Sequence, residues 1–441
     1  MNETSSHPRT GPRAIVISAM ILIFAMINFG DKAVLGLAEV SISQELHLSH
    51  STYGLVASSF FLLFSISALA VGFVSNRVGA RWVLLTLAVL WSLAQVPVLA
   101  VASTTTLFVS RITLGAAEGP AAAVATHGVY QWFPAHRRGL PSALYPIGAG
   151  LGVFTAAPVL TSLITHSGWR AAFLALAAVG LIWAVVWLLI GREGPYAATS
   201  RTATTTATVA ETPEPAVAYR RLLTCPTWLG SAIATFGMYW ALAVGSAFVP
   251  AYLITQHGFT PGMAASAVSL YALLYIVGPI MVSPLVSWLH NRGVSSRWSR
   301  GATQGIVVAI SGAGMVALPH ATATGTLFGL VAVAFGVGVI VFPLAYLTTS
   351  EVTPLRQRGA SFGVLIAVQT LPGLISPAVT GWLIDAAPTT GSGYTAAFTV
   401  GGLIMLACGI VALVAIRPER DAARFGLGGI PAAAGHQLSG R

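Results

Sequence analysis

The sequence predicts an all-α, polytopic membrane protein of twelve transmembrane helices in two six-helix bundles. Three observations carry this prediction. The 441 residues are 55% hydrophobic and only 8% charged, against about 25% charged in soluble domains. Apolar runs of about 18 residues or more recur along the chain, the length that crosses a hydrocarbon core. Between Arg192 and Pro226 the pattern breaks: this stretch contains TSRTATTTATVAETPEP, too poor in large apolar residues to fold alone, and reads as a flexible linker.

In chain order, residues 1–12 form a polar tail. The first apolar run, Arg13 to Leu37, is too long for the core of a signal peptide and has no cleavage site; it is expected to remain as a helix. Further runs lie near 51–74, 82–102, 104–127, 139–164 and 170–190. A first bundle therefore spans 13–191 and a linker 192–226. The second half reads 227–254, 263–289, 302–319, 323–349, 359–385 and 394–416, a bundle over 227–417 followed by a tail, 418–441.

The net charge of +10 suits a nucleic-acid partner only if the basic residues cluster, and they do not. They sit in short loops between apolar runs, which is a topology signal. With the N-terminus inside, Arg9, Arg13, Arg77, Arg81, Arg137, Arg138, Arg192, Arg201, Arg220, Arg221, Arg292, Arg297, Arg300, Arg356, Arg358, Arg417, Arg420, Arg424 and Arg441 all fall on the inner side. Of the other basic residues, only Arg170 lies near an outer loop. Both termini and the linker are expected to face the cytoplasm, in a bacterial inner membrane. Cys225 and Cys408 have neither metal-ligand spacing nor a disulfide framework.

The two halves echo each other. Asn76-Arg77 and Asn291-Arg292, Pro134 to Gly139 and Pro354 to Gly359, and Pro158-Val-Leu-Thr161 and Pro377-Ala-Val-Thr380 are offset by 215, 220 and 219 residues. A parallel repeat of six helices places a substrate site between two bundles that rock against one another.

Two charged clusters interrupt the apolar runs: Asp31-Lys32, and Arg111 with Glu118. Arg111 and Glu118 are two helical turns apart and share one helix face. Charge inside a membrane is costly and marks an ion, proton or substrate pathway by default; the competing reading is an ion pair that locks helices together.

Gly72-Phe-Val-Ser-Asn76-Arg77-Val-Gly79-Ala-Arg81 resembles the loop signature between helices two and three of the major facilitator superfamily. Asn28-Phe-Gly-Asp31-Lys32, Arg111-Ile-Thr-Leu-Gly115-Ala-Ala-Glu118-Gly-Pro120 and Trp132-Phe133-Pro134 resemble its anion:cation symporter family. The resemblance implies proton-coupled import of a small organic acid. It implies that Asp31 and Glu118 carry the protons and that Lys32, where relatives have Arg, faces the anion. Lys keeps the charge but loses the planar fork that grips a carboxylate. Ala149 stands near a position where several sugar-acid relatives have a polar residue, which favours a less polar acid. Arg111 binds substrate or anchors Glu118. Gly72, Asn76, Arg77, Gly79 and Arg81 are expected to gate, with Asn76 replacing the usual Asp and so losing an ion pair.

Tyr239, Trp240, Tyr271 and Tyr275 are either cavity-lining or packing aromatics. Gln369 and Thr370, beside Pro372-Gly373, are expected to face the cavity at a kink. Phosphate loop, nucleophile elbow and metal cluster are all missing from the sequence, so neither an enzyme nor a cofactor is expected. The expected partners are an organic acid, protons and the lipid bilayer, with a monomer as the expected state. A proton-coupled exporter is the main competitor; exporters of this superfamily commonly carry Gly-x-x-x-Gly-Pro in helix five, where this chain has Val153 after Gly152. A non-transporting membrane sensor or a membrane enzyme is more distant.

Overall fold

The computed structural model describes residues 12–75, 78–134, 137–197 and 217–427. Asn76, Arg77, the central part of the expected linker and both chain ends lie outside the described residues. The first half comprises α1 (Pro12–Leu37), α2 (Glu39–Leu46), α3 (His50–Ser75), α4 (Ala80–Ala94), α5 (Val96–Ala100), α6 (Thr104–Glu118), α7 (Ala121–Tyr130), α8 (Gly139–Ser167) and α9 (Trp169–Ile190). A short α10 (Tyr219–Leu223) leads into α11 (Pro226–His257), α12 (Pro261–Asn291), α13 (Thr303–Ala317), α14 (Thr324–Gly336), α15 (Val341–Glu351), α16 (Arg358–Ala386), α17 (Thr390–Ala415) and α18 (Pro418–Arg424).

Among the described residues, eleven helices are long and apolar enough to cross a membrane. The remaining pass is the one expected as a single helix over 104–127. It divides into α6 and α7 at Gly119-Pro120, because proline has no N–H for the helix ladder and its ring clashes with the carbonyl one turn back. This pass packs very closely on α3. A Cβ on Gly115 would overlap the Phe60 carbonyl oxygen, so only glycine allows the two backbones to meet there.

The ends of the helices follow local chemistry. Ser103 caps α6 by accepting from the Thr106 N–H at 3.1 Å, and Thr389 and Ser392 form a capping box at the start of α17. Gly258 stops α11 in the left-handed region at φ 66°, where a side chain would be strained.

One end of the molecule carries 191–197, 217–225 and the helix ends nearest the chain termini; we call it the terminal end. The far end carries the connections around 38–49, 168, 258–260 and 387–389. Between the halves, α3 lies along α16, α8 along α12 and α1 against α11. The named contacts across this seam run from mid-depth to the far end. Ser65 Oγ is 3.0 Å from Thr370 Oγ1, and the Ala378 N–H donates to Ser58 Oγ at 3.1 Å. Tyr53 donates its hydroxyl to the Leu35 carbonyl at 2.9 Å and to Ala247 of the other half at 3.3 Å. Toward the terminal end, Cβ atoms on Gly359 and Gly363 of α16 would meet nothing within 4 Å. Among the described residues, the named contacts between the halves thus gather between mid-depth and the far end.

Parts of the expected linker and tail are packed. The Tyr196 N–H donates to the Gln131 carbonyl at 3.0 Å, and Gln357 holds Val217 by two hydrogen bonds. In α18 the buried Asp421 accepts from the N–H and hydroxyl of Thr227, at 3.1 and 2.7 Å. The chain therefore remains folded past residue 417, where the sequence reading placed the start of a tail.

Candidate functional site

Lys32 of α1 and Glu118 of α6 meet in the interior of the first half. Asn28 and Lys32 are one helical turn apart and face the same way. The ammonium of Lys32 lies 2.6 Å from Glu118 Oε2 and donates to Asn28 Oδ1 at 2.6 Å. Tyr145, from α8, donates to the same Asn28 oxygen at 3.0 Å. Phe29 lies under the Lys32 cation, with its ring centroid at 4.4 Å. The side chain of Lys32 is 20% exposed, whereas that of Glu118 is 0% exposed.

Asp31 points away from this pair. It is fully buried and accepts from Gln95 Nε2 at 3.1 Å; Gln95 sits at the junction between α4 and α5. Its other oxygen, Oδ2, has no hydrogen-bond partner. Arg111 is also buried, with its guanidinium carbon 5.3 Å from the Phe173 ring centroid. Its Nε and Nη2 donors make no hydrogen bond. Among the described residues, no ion pair within 4.0 Å includes Arg111 or Asp31.

This geometry corrects the pairing suggested by spacing. Sharing a helix face put Arg111 beside Glu118, yet the partner of Glu118 is Lys32, 86 residues away in sequence. Two turns along a helix is about 10 Å of rise, more than the two side chains close here. Arg111 thus does not anchor Glu118 by a direct bond.

Tyr239 belongs to the same region. It meets Phe61 of the first half at 5.8 Å and Phe342 at 6.4 Å between centroids. Gln369 lies next to Tyr346, with its Oε1 unpartnered. Thr370 is buried and bonds Ser65 and its own helix. Tyr271 is elsewhere: it is packed in the core between Tyr275 and Phe335, at 5.8 and 6.2 Å. Trp240 is likewise core.

At the terminal end, Gly72 falls within α3 and Gly79 precedes α4. A Cβ on Gly79 would overlap the Glu193 carboxylate. Glu193 accepts from the Arg81 N–H at 3.0 Å, and Arg81 Nη2 donates to the Leu188 carbonyl at 2.8 Å. Trp187 donates to the Arg81 carbonyl at 2.9 Å. These residues tie α4 to the end of α9 within one half. Among the described residues, these contacts of Arg81 all stay within the first half.

Asn28, Gln95 and Tyr145 were not singled out from the sequence as site residues. Asn28 carried a readable signal, being polar and one turn before Lys32. Gln95 is one polar residue near a proline in an apolar run, and nothing in the chain tells which helix it will face.

The profile of the Major Facilitator Superfamily matches residues 20–377, most of the chain. The chain belongs to the major facilitator superfamily. As a superfamily member it is a multi-pass membrane transporter and not an enzyme. A relative named as a probable sulfoacetate transporter, from Cupriavidus necator, is 26% identical over 418 residues, covering 93% of this chain and 95% of that protein. The hexuronate transporter of Bacillus subtilis is 25% identical over 406 residues, covering 90% and 93%. A putative tartrate transporter from Agrobacterium vitis is 24% identical over 419 residues, covering 92% and 91%. Among solved structures, a bacterial homolog of the human lysosomal transporter Spinster, inward-facing and occupied, superposes with a TM-score of 0.70 at 16% identity, covering 94% of this chain and 98% of that one. A D-xylose-proton symporter superposes with a TM-score of 0.66 at 18% identity, covering 89% and 97%. These superpositions establish the fold, twelve helices in two six-helix bundles.

Proposed function

We propose that this transporter imports a small organic anion with protons across a bacterial inner membrane, by alternating access. The observation that carries the reading is the 2.6 Å contact between Lys32 and Glu118, with the cation part-exposed and the acid sealed. A proton taken up by Glu118 removes the negative charge that holds Lys32. The ammonium then keeps its hydrogen bonds to Asn28 and its contact with the Phe29 ring, and a part-buried cation without a counter-charge is costly. A substrate carboxylate restores the balance. Anion and proton are thereby coupled, because each makes the other's binding favourable. The three relatives are named for anionic substrates, which supports this charge sign.

Asp31 is the second proton-carrying acid in this reading, and Arg111, with two donors unengaged, is the second cation available to the anion. Tyr239, Gln369 and Thr370 form the opposite wall; Tyr271 serves packing. Gly79 and Arg81, which fasten α4 to α9, act in gating; Gly72, Asn76 and Arg77 are assigned to the same gate by the loop signature alone. The units 13–191 and 227–417 rock about the segment 192–226, with both termini cytoplasmic, and the protein works as a monomer. With the far end outside, seam contacts that gather toward that end suit an inward-facing arrangement.

The test is proton movement in proteoliposomes on addition of sulfoacetate, hexuronates, tartrate and aromatic acids, for the native protein and Glu118→Gln. Alkalinisation of the compartment that loses the acid, absent in the variant, is the expected result. Proton movement with lipophilic cations and with none of the acids would assign an exporter instead.

A further inference from the structure

Glu39 takes no part in the site above. It begins α2, just beyond the far end of α1, and is 4% exposed. Among the described residues, its side chain is bonded by a neighbour on its own helix: Ser43 Oγ donates to Oε1 at 3.4 Å. Among the described residues no cation lies within 4.0 Å of it. The elements packed on α2 are α1, α3 and α11. The titratable groups that feel its charge are Tyr53 of α3, in the same half, and Tyr394 of α17, in the other; His50 at the start of α3 meets Asp385 of α16 across the same end of the seam, so the Glu39→Gln comparison below separates its contribution.

The surroundings belong to the seam. Tyr53 stands edge-on to Phe248 at 5.5 Å, and a Cβ on Gly36 would overlap the Ser246 carbonyl oxygen. Tyr394 packs on Tyr252 and Phe398 at 5.1 and 5.8 Å. A carboxyl group is therefore enclosed where the two halves touch, with aromatic rings and no counter-charge. Such a group is stable when neutral and costly when ionised.

We propose that Glu39 is a further proton-carrying residue of the transport cycle, protonated when the far end is closed and ionised when it opens. The inference rests on the alternating-access reading above. Closing the far end then takes up a proton independently of Asp31 and Glu118, and opening releases it.

Burial raises the Glu39 carboxyl from the usual value of 4.5 to about 7, with the Ser43 hydrogen bond pulling the other way. In the open form the group is wet and titrates in the ordinary range. The closed form thus binds more protons between these values. Below about pH 4.5 both forms are protonated and the closed form bears no penalty. From there to about pH 7 the closed-to-open ratio falls about tenfold per unit, and above it the ratio is flat.

The experiment places spin labels on the exposed far-end positions Gln44 and Thr390, one in each half, in the full-length protein without substrate. In the native background the long-distance population is expected to grow as pH rises from 5 to 7.5, by about two orders of magnitude in the ratio at most. Glu39→Gln is expected to hold the short distance throughout that range, and Asp31→Asn to retain the shift. A pH-independent native distance overturns the inference. So does a Glu39→Gln protein that shifts as the native one does, or a shift abolished by Asp31→Asn alone. The readout needs neither anion nor flux. A Glu39-dependent shift in a protein with no anion-driven proton movement would separate this inference from the symport reading.

Discussion

Asp385, at the end of α16, holds the first residue of α3 in the opposite half: its Oδ1 accepts from the His50 N–H at 3.2 Å and lies 3.0 Å from His50 Nδ1. The second carboxylate oxygen accepts from the Ser51 N–H at 2.7 Å. An anion thus sits at a helix N-terminus, where unsatisfied N–H groups and the helix dipole both favour it.

Asp385→Ala is expected to weaken far-end closure. Losing an anion at a helix start costs about 1 kcal/mol, roughly a fivefold shift in the closed-to-open ratio. The Gln44–Thr390 distance distribution at fixed pH is the measurement. An unchanged distribution would show that the close contacts of Gly54 on Pro377 and Gly381 on His50 hold the seam without Asp385.

Lys32→Arg and Lys32→Gln separate charge from shape. The guanidinium keeps the charge and adds a carboxylate-matching fork, so Lys32→Arg is expected to retain anion transport. Lys32→Gln leaves Glu118 buried beside a neutral group and is expected to lower kcat/KM by about a hundredfold, a loss of about 3 kcal/mol. Initial rates of labelled substrate uptake decide it; equal rates for the two variants would refute a charge role.

Gly115→Val tests the approach of α6 to α3. A side chain there meets the Phe60 backbone, which has no rotamer in which to retreat, and overpacking of this kind costs about 1–3 kcal/mol or more. Lower monodisperse yield and a lower Tm in detergent are expected, with any remaining folded protein still binding substrate.

Cys225 provides a reporter for the C-terminal packing. It is buried, and its thiol points at Asp421 Oδ2 at 3.4 Å. Burial pushes this thiol up to about 11, so little thiolate exists at pH 8, and maleimide labelling of the native protein is expected to be slow. Asp421→Ala frees α18 from Thr227 and is expected to speed labelling several-fold and lower Tm. Equally slow labelling would mean that α18 stays docked without its carboxylate.

The apolar runs and their lengths were legible because each is a local property: every backbone group in lipid must be satisfied within its own helix. The charged clusters were legible for the same reason, since Asp31, Lys32, Arg111 and Glu118 each violate the composition of their surroundings. The break at Gly119-Pro120 was also written locally, though the run around it was read as one helix.

Partners were not legible. That Lys32, rather than Arg111, closes on Glu118, that Gln95 reaches Asp31, and that Asp385 caps α3 all depend on how helices are rotated and crossed. Glu39 shows the limit most clearly. Beside a loop it reads as a solvated acid, and only the packing of α1, α3 and α11 around α2 encloses it. The sequence by itself determined which segments enter the membrane and which charges go with them, because transfer from water to lipid depends on composition along one helix. Tertiary structure alone decided which charges neutralise each other and which acid is sealed into the seam, because those energies depend on distances between residues far apart in the chain.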